Sequence, residues 1–500
     1  MKFLKNRDKY LHLMLAMLDE NLAKNCYKLM YSSCLPHVEI GAAHTSLSGF
    51  RADRNRRPWP LPTTNKEPAM NDDISPRKET VMQAAVARGL LGEKHLLAAF
   101  IDMDGIEKTV ASLRAAFDDH FTHAFAAKAN CLHRVLALLR QCGMGCEVAS
   151  PGEFAQARRA GFLPHEIVLD SPAKTLGEIE QALRQGTALN IDNFQELERV
   201  TTLMATLASN SEIGIRINPQ VGVGTIAATS TATRTSKFGI PLEDAGQRTR
   251  LIQAYIERPW LTGVHTHVGS QGCSFELIAS GVAKVVAFAE EINAAVGRQQ
   301  VQVLDIGGGL PVNFASDEFT PGYDEYAALL RAHAPALFSG AYRVITEFGR
   351  SVVAKNGFIA ARVEYTKTSG DRHIAITHAG AQVAARTVFL PEMWAIRLSA
   401  FDAQGRFKRG EKIPQDVAGP CCFAGDILAH ERPLPLLEPG DFILAHDTGA
   451  YYFSTPFQYN SLPDAAVYGF HIGDDNEVRF ELLRAEQSIE HVVETSGLFK

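Results

Sequence analysis

His-Ala-Phe-Ala-Ala-Lys-Ala-Asn, residues 123–130, is an apolar run that ends on a single lysine. A short apolar run of this kind is typical of a buried β-strand. Desolvation at the end of such a strand lowers the pKa of a lysine, which makes Lys128 a candidate nucleophile or Schiff-base residue. The alternative is a lysine whose side chain extends from the strand end into solvent. The residues at the other strand ends decide between these interpretations.

Apolar strand candidates and amphipathic helix candidates alternate on both sides of this run. The strand candidates are residues 121–127, 146–149, 167–170, 188–191, 213–217, 263–267, 301–306 and 343–347. Helix candidates at 132–141, 152–160, 176–185, 194–208 and 275–294 have apolar residues at helical spacing. About eight such units over roughly 250 residues predict a (β/α)8 TIM barrel with parallel strands.

The pattern changes after residue 350, where helix candidates become sparse. Short strand candidates follow at 352–363, 373–377, 419–423, 442–446 and 465–470, and turn sequences separate them. We therefore predict a barrel over residues 101–354 and a C-terminal antiparallel β domain over residues 355–500. A lead-in segment, residues 79–100, is predicted to contain a helix at 79–91 and the start of a strand at 97–103, and to join the β domain in part.

The first 78 residues have a different composition. Residues 10–30 predict a short amphipathic helix within an N-terminal helical extension, residues 1–45. The basic start and the apolar run after it resemble a signal peptide, but no small-residue cleavage site follows. Residues 46–78 are rich in proline and arginine and contain few apolar residues, which is typical of a linker.

Composition excludes several classes of protein. A net charge of −6 leaves no general basic field for nucleic acid. No apolar run approaches the roughly 18 residues that cross a bilayer, so we predict no membrane partner. Eight cysteines in 500 residues are too few for a disulfide framework, and their spacing does not match a zinc knuckle. These features predict a cytoplasmic protein with reduced cysteines.

Polar residues at the ends of barrel strands are the first candidates for a functional site. Gly307, Gly308 and Gly309 follow one apolar strand, where backbone N–H groups can close on a phosphate. Glu347 and Arg350 follow the next strand, and a guanidinium is well shaped for a bidentate phosphate contact. Each feature is weak by itself, because tight turns also need glycine and Glu–Arg pairs are common on surfaces.

Two histidines, His265 and His267, end another strand on the same side, which is also the spacing of a metal site. A barrel metallohydrolase is therefore an alternative. Such a site needs further ligands at other strand ends, where the chain instead has a lysine, three glycines and an arginine. We predict no metal and a pyridoxal phosphate site, in which Lys128 forms the Schiff base and Glu347 keeps the pyridine nitrogen protonated.

Several segments resemble, in order, the motifs of the fold type III pyridoxal-phosphate decarboxylases, which include ornithine, diaminopimelate and arginine decarboxylases. The matching segments are residues 127–130, 148–153, 236–240, 419–426 and 447–451. The resemblance covers residues 97 to 470 and is closest to diaminopimelate decarboxylase. It implies an alanine racemase-like barrel, pyridoxal 5'-phosphate, a small amino-acid substrate, and a homodimer with shared active sites.

The resemblance also implies roles for single residues. Lys128, Glu347 and Cys422 match the catalytic positions, and Cys422 would return a proton to Cα in the partner's site. His267 matches the imidazole that stacks on the cofactor ring. The implied phosphate contacts are Ser270, Gly307, Gly308, Gly309, Arg350 and Tyr451.

Substrate recognition departs from the family pattern. Relatives place an acidic residue after the catalytic cysteine, but this chain has Phe423, which cannot accept a hydrogen bond from an ammonium. Arg386 matches an arginine that binds a substrate carboxylate, and His378 stands where relatives often have aspartate. We predict a diaminopimelate decarboxylase-like enzyme with shifted specificity. The alternatives are a racemase of the same fold and a non-catalytic regulatory homologue.

Overall fold

The computed structural model describes residues 75–498. The predicted helix at 10–30, the extension 1–45 and most of the predicted linker 46–78 lie outside the described residues. The first described helix, α1, spans Pro76–Ala87. It therefore begins three residues before the predicted helix, with Pro76 at its first position, where a missing N–H costs nothing.

Eight parallel strands close into a barrel within the described residues. Each strand pairs with the next one, and the last pairs with the first to complete the ring. The strands are β2 (Phe121–Ala126), β3 (Gly145–Val148), β4 (Ile167–Leu169), β5 (Ala188–Ile191), β6 (Ile213–Asn218), β8 (Leu261–His265), β9 (Val303–Asp305) and β10 (Arg343–Thr346). These strands confirm the predicted TIM barrel, and a two-residue strand, β7 (Ile240–Pro241), pairs with β6 outside the ring.

Helices follow most of the barrel strands. They are α2 (Met103–Ala116), α3 (His133–Gln141), α4 (Pro151–Arg159), α5 (Leu176–Gln185), α6 (Phe194–Met204), α7 (Gln247–Glu257), α8 (Phe275–Val296), α9 (Tyr323–His333) and α10 (Arg350–Val353). The bounds of α5 match the prediction because local signals set both ends. Thr175 and Glu178 form a capping box at its start, and Gly186 ends it with a φ of 74°.

A second sheet forms the β domain. It contains β1 (Leu97–Asp102), β11 (Gly357–Ser369), β12 (Arg372–Thr377), β13 (Leu398–Phe401), β14 (Lys412–Ala418), β15 (Ile427–Pro435), β16 (Phe442–Ala445), β17 (Ala466–Ile472) and β18 (Val478–Arg484). Its described pairs are antiparallel except β1 with β17 and β12 with β14. Two helices, α11 (Ala381–Phe389) and α12 (Ile489–Thr495), belong to the same part of the chain.

Strand β1 precedes the barrel in sequence but lies in the β-domain sheet. It pairs antiparallel with β11 and parallel with β17. Its Phe100 is fully buried and stacks on Phe358 of β11 at 5.1 Å between ring centroids. Burial of such an aromatic pair stabilises the contact between the segment that precedes the barrel and the segment that follows it.

Of the strand predictions in the β domain, the one at 352–363 begins too early, since β11 starts at Gly357, and the one at 419–423 is wrong. Residues 352–356 are helical, and residues 419–423 form the turn between β14 and β15. The carboxylate of Asp426 explains the turn, because it accepts hydrogen bonds from the backbone N–H groups of Cys421 and Ala381, each at 2.6 Å. Cys421 therefore satisfies its amide within the turn and not in a strand ladder.

Within residues 75–498, no helix is both long enough and apolar enough to cross a bilayer.

Candidate active site

Lys128 lies in a single 3-10 turn, Ala127–Ala129, directly after β2. Its Nζ donates a hydrogen bond to Glu147 Oε2 at 2.8 Å, and Glu147 is on the neighbouring strand, β3. The Lys128 side chain is 44% exposed, whereas that of Glu147 is fully buried. The pair therefore combines an accessible amine with a carboxylate that has no contact with bulk water.

The pKa of Lys128 is raised, and not lowered as the sequence argument predicted. Burial does lower this pKa, but the negative charge of Glu147 outweighs burial, with further contributions from Tyr451 and Glu347. Burial also raises the pKa of Glu147 to about 7, although the charge of Lys128 opposes this shift. Glu147 is therefore a carboxyl group that can exchange a proton near neutral pH.

Three buried ionisable groups lie at other strand ends. His265 Nε2 is 3.6 Å from Glu347 Oε2, and His265 Nδ1 is 3.7 Å from Asp170 Oδ1. Burial lowers the pKa of His265, but the charges of Asp170, Asp305 and Glu347 outweigh it and raise the pKa to about 9. Burial in turn raises the pKa of Glu347, but the charge of His265 outweighs it and lowers that pKa. The imidazolium thus keeps Glu347 ionised.

The ligand atoms of Asp170, His265 and Glu347 lie within 4.8 Å of one another, as in a metal site. His265 lies between the carboxylates of Asp170 and Glu347, with which its two ring nitrogens form contacts at 3.7 Å and 3.6 Å. Asp170 is also already paired with Arg216, whose Nη1 is 2.7 Å from its Oδ2. The chemistry of these three side chains therefore fits a charge network better than a metal centre.

His267 has a different environment from His265. Its Nδ1 accepts a hydrogen bond from the N–H of Gly308 at 3.1 Å. Burial lowers the pKa of His267 to about 3, and the positive charge of Arg216 lowers it further. His267 is therefore neutral, and the two histidines of the 263–267 segment do not act as one pair.

The glycine turn after β9 packs closely against neighbouring backbone. A Cβ on Gly308 would lie 2.2 Å from the Glu347 carbonyl oxygen, and one on Gly309 would lie 2.0 Å from the Gly269 carbonyl oxygen. Gly307 has a φ of 65°, which favours glycine. The N–H of Gly307 donates to Asp305 Oδ1 at 3.0 Å. The amides of Gly307 and Gly308 thus donate to side chains, and positions 308 and 309 accept only glycine because neighbouring backbone stands where a Cβ would lie.

Arg350 begins α10 and is buried. Its Cζ lies 4.9 Å from the ring centroid of Trp394 and 4.6 Å from that of Tyr451. Arg386, on α11, contacts the same two rings at 4.4 Å and 5.7 Å. Burial lowers the pKa of Arg350 to about 10, and the neighbouring Arg386 contributes to this. Two guanidinium groups therefore share one pair of aromatic rings.

Several nitrogen atoms of these guanidinium groups have no hydrogen-bond partner within residues 75–498. They are Nε and Nη1 of Arg350 and Nε of Arg386. Arg386 Nη2 donates to the carbonyl oxygen of Ala450 at 3.2 Å. Buried cationic donors without partners are costly, so this region is suited to an anionic ligand.

Tyr451 connects these arginines to Lys128. Its backbone N–H donates to the carbonyl oxygen of Ala129, next to Lys128, at 3.0 Å. Tyr451 has a φ of 61°, and Asp447, four residues earlier, has a φ of 58°. The structure thus places the loop at 447–451 against the lysine turn.

The other predicted site residues have contacts in the loops of the barrel and the β domain. Ser270 is half-buried after β8, and its N–H donates to the Thr229 carbonyl oxygen at 3.0 Å. Cys422 is exposed in the β14–β15 turn, and its N–H donates to Asn460 Oδ1 at 2.6 Å. His378 Nε2 lies 3.0 Å from Glu364 Oε2. In a single chain, Cys422 faces solvent.

The sequence argument missed some residues of this site. Glu147, Asp170 and Asp305 all lie at strand ends, so the rule that selected Lys128 and Glu347 would also have selected them. Trp394 lies in a loop of the β domain and has no such local signal. Its relation to Arg350 and Arg386 appears only in the tertiary structure.

Comparisons with known proteins agree with this geometry. Residues 103–354 match the family model "Pyridoxal-dependent decarboxylase, pyridoxal binding domain". Diaminopimelate decarboxylase of Helicobacter pylori is 32% identical over 403 residues, covering 79% of this chain and 95% of the relative. The enzyme of the same name from Aquifex aeolicus is 28% identical, covering 78% of this chain and 89% of the relative.

The fold is also similar to solved structures. The crystal structure of the H. pylori diaminopimelate decarboxylase complexed with L-lysine has a TM-score of 0.69 and 29% identity, and the match covers 80% of this chain and 97% of that one. No comparison favours the racemase or the non-catalytic alternative. The chain therefore belongs to the pyridoxal-dependent decarboxylases, uses pyridoxal 5'-phosphate, and catalyses the decarboxylation of an amino acid.

Proposed function

We propose that the substrate is an α-amino acid with a second carboxylate at its distal end, as in diaminopimelate, and that Lys128 is the catalytic lysine. The observation that supports this most directly is the pair Arg350 and Arg386, which share the rings of Trp394 and Tyr451 and have nitrogens without partners. A carboxylate would satisfy these donors in a charge-assisted, bidentate geometry. The names of the relatives support the same class of substrate.

The residues at the strand ends fit the cofactor. Glu347 Oε1 is buried and has no hydrogen-bond partner within the described chain, as expected for a carboxylate that receives the pyridine N–H. The glycine turn packs against the backbone of Glu347 and Gly269, and we assign it to the cofactor phosphate on its position directly after a barrel strand. We assign Ser270 and Tyr451 to contacts with the cofactor phosphate, and Arg350, whose guanidinium lies over Trp394 and Tyr451, to an anionic group of the cofactor or the substrate.

When bound, pyridoxal phosphate supplies an electron sink for the bond that releases carbon dioxide. Glu347 holds a proton at the pyridine nitrogen, and His265 keeps Glu347 ionised. His267, which is neutral, presents an imidazole face and not a charge. These residues keep the ring electron-poor without placing a second cation on its face.

Lys128 would hold the cofactor's aldehyde through Nζ. The raised pKa of Lys128 means that its ammonium must first lose a proton, and Glu147 is the nearest acceptor. The pKa of Glu147 is raised to about 7, so the carboxylate is close to balance between its two forms at neutral pH. We therefore assign Glu147 to proton exchange with Lys128.

Cys422 is assigned to the return of a proton to Cα, in the site of a partner subunit. Its exposure in the β14–β15 turn supports this, because the thiol is available to a second chain. The proposal therefore includes a homodimer with shared active sites. The described cysteines are all free, which also supports a reducing, cytoplasmic location.

A panel of L-, D- and meso-amino acids, with carbon dioxide release as the readout, tests the proposal. We expect turnover of substrates with a distal carboxylate and none of ornithine. Borohydride reduction should attach the cofactor covalently to the wild-type protein, and Lys128→Ala should abolish this attachment. Turnover restricted to ornithine, or a wild type that does not become coloured with added pyridoxal phosphate, would contradict the proposal.

A further inference from the structure

We propose that a cavity beside the glycine turn binds a regulatory ligand and that this ligand tightens cofactor binding. The ligand class is a small aromatic carboxylate with a neutral N–H or O–H donor at its other end. The cavity has a volume of about 460 Å³, which is typical of sites for small molecules. Binding of the ligand is independent of the proposed function, whereas its effect on the cofactor rests on the residues that the proposed function assigns to the cofactor.

The cavity lies between the barrel and the β domain. Its walls come from the start of α1, from α2, from the loop between β9 and α9, and from the segment that joins α10 to β11. Leu310, Val312 and Phe358 are buried apolar residues of these walls, and Phe319, which also lines the cavity, is 56% exposed. Such apolar and aromatic walls favour a ligand with a flat hydrophobic body.

Asp447 gives the cavity an acceptor that lacks a donor. Its side chain is only 2% exposed, and its Oδ2 lies 3.2 Å from Lys355 Nζ and 3.5 Å from Arg397 Nη2. Its Oδ1 has no hydrogen-bond partner within residues 75–498. A buried carboxylate oxygen without a donor is costly, so a ligand that donates to it gains affinity. Because two cations already adjoin this carboxylate, a neutral N–H or O–H group suits the position better than an ammonium.

The other charges of the cavity favour an anionic group on the ligand. Four basic and three acidic side chains line the cavity. Asp102 is paired with Arg77, and Asp317 is paired with Lys78 at 2.7 Å. Lys108 is exposed and has no hydrogen bond or ion pair among the contacts described for residues 75–498. A carboxylate on the ligand would pair with Lys108 and offset the excess of positive charge.

Three walls of the cavity continue into segments that the proposed function assigns to the cofactor. Leu310 directly follows the glycine turn, and Ser351 directly follows Arg350. Asp447 begins the loop that ends at Tyr451. A ligand that fixes these walls also fixes the residues next to the cofactor, so the cofactor loses less conformational freedom of the protein when it binds.

Side-chain contacts add to these connections. The N–H of Val312 donates to Gln271 Oε1 at 2.9 Å, and Gln271 Nε2 donates to the Val312 carbonyl oxygen at 3.0 Å. Gln271 is next to Ser270, which is assigned to the cofactor phosphate. Tyr323, another lining residue, donates through its hydroxyl to Ser351 Oγ at 3.1 Å. The cavity walls are therefore bonded to two of the segments that would contact the cofactor.

Three probes of similar size test binding to the coloured holoenzyme by calorimetry. They are para-hydroxyphenylpropanoate, phenylpropanoate, which lacks the hydroxyl donor, and para-hydroxyphenylpropanamide, which lacks the carboxylate. We expect one site per chain for the first probe and about tenfold weaker binding of the second, because Asp447 Oδ1 then has no donor. No binding of the first probe, or equal binding of the first two, would overturn the inference.

Substitutions of exposed lining residues locate the probe. Lys108→Glu should weaken the binding of both carboxylates about fivefold and leave the binding of the amide unchanged. Phe319→Ala should weaken the binding of all three probes, because each loses apolar contact. Lys367→Glu is the matched control, since Lys367 is an exposed lysine of β11 outside the cavity, and it should change nothing. Carboxylate binding that Lys108→Glu leaves unchanged would place the probe elsewhere and overturn the inference.

Titration of cofactor-free protein with pyridoxal phosphate, with and without saturating para-hydroxyphenylpropanoate, tests the coupling. We expect the probe to raise the affinity for the cofactor about fivefold, and the cofactor to raise the affinity for the probe by the same factor, because coupling is reciprocal. An unchanged or lower cofactor affinity would overturn the coupling. Carbon dioxide release without any probe tests the proposed function separately, since its failure would leave the binding of the probe intact.

Discussion

Glu147 Oε2 accepts a hydrogen bond from Lys128 Nζ at 2.8 Å, which joins the ends of two neighbouring barrel strands. The carboxylate is fully buried, and the amine is half-exposed. The pair sets the protonation state of the lysine, since the charge of Glu147 outweighs the burial that would otherwise lower the pKa of Lys128. If Lys128 is the cofactor lysine, as proposed, formation of the covalent link depends on a residue outside the lysine motif.

Glu147→Gln should accelerate the capture of pyridoxal phosphate at pH 7. Removal of the negative charge lets burial lower the pKa of Lys128, so a larger fraction of the amine is neutral and nucleophilic. The measurement is the growth of cofactor absorbance after mixing with cofactor-free protein. Glu166→Gln, which changes a partly exposed pair with Arg140, should leave the rate unchanged. We expect this gain to exceed the loss of Glu147 as a proton acceptor, and an equal or slower rate in Glu147→Gln would contradict the control of the Lys128 pKa by the charge of Glu147.

His265→Asn should flatten the pH dependence of stability. The pKa of His265 is raised from 6.5 to about 9, so its contribution is fully present below about pH 6.5 and is lost as pH rises through about 9. The Tm of wild-type protein should therefore fall between pH 6.5 and 9.5 more than that of the variant. Cofactor-free protein is used, because a pyridine nitrogen would compete for Glu347. If Tm falls with pH by the same amount in the wild type and in His265→Asn, His265 is not a buried imidazolium.

Gly308→Ala should weaken both folding and cofactor binding. Its Cβ would lie 2.2 Å from the Glu347 carbonyl oxygen, so the backbone must move, at a cost of about 1–3 kcal/mol in the free energy of unfolding. Gly177→Ala is the matched control, because a Cβ there meets nothing within 4 Å. That change, in α5, should be neutral or stabilise by up to about 1 kcal/mol. Urea unfolding measures the change in stability, and cofactor titration measures the change in affinity. Equal stability and equal affinity in Gly308→Ala and Gly177→Ala would contradict the claim that a Cβ at position 308 meets the backbone.

Asp447→Asn should loosen the loop that positions Tyr451. Asp447 Oδ2 lies 3.2 Å from Lys355 Nζ and 3.5 Å from Arg397 Nη2, and all three residues are buried. Removal of the carboxylate deprives the buried cations of Lys355 and Arg397 of this partner, which costs about 3–5 kcal/mol in the free energy of unfolding. We expect a lower Tm and weaker cofactor binding.

Asp402→Asn is the control for Asp447→Asn, because it breaks a more exposed ion pair with Arg406 four residues away. Such an exposed pair contributes only about 0.2–1 kcal/mol. If both variants lose the same stability, or if Asp447→Asn binds the cofactor normally, the proposed anchoring of Tyr451 is incorrect.

The sequence by itself determined the barrel and the positions of its main functional groups. Local periodicity predicted all eight barrel strands, and Lys128, the glycine turn and Glu347 were found because each follows a strand directly. In a parallel barrel, all such positions meet at one end of the strands. No long-range contact was needed to predict that they share a site.

The tertiary structure alone decided the charges of the site. Lys128 and Glu147, and likewise His265 and Glu347, belong to different strands, and the sign of each pKa shift depends on distances that no local pattern contains. Burial by itself predicted a lowered pKa for Lys128, and a neighbouring carboxylate reversed it. Two further features also depend on the tertiary structure, because each joins segments that are far apart in the chain. They are the contacts of Arg350 and Arg386 with the same aromatic rings and the turn whose backbone amides donate to Asp426.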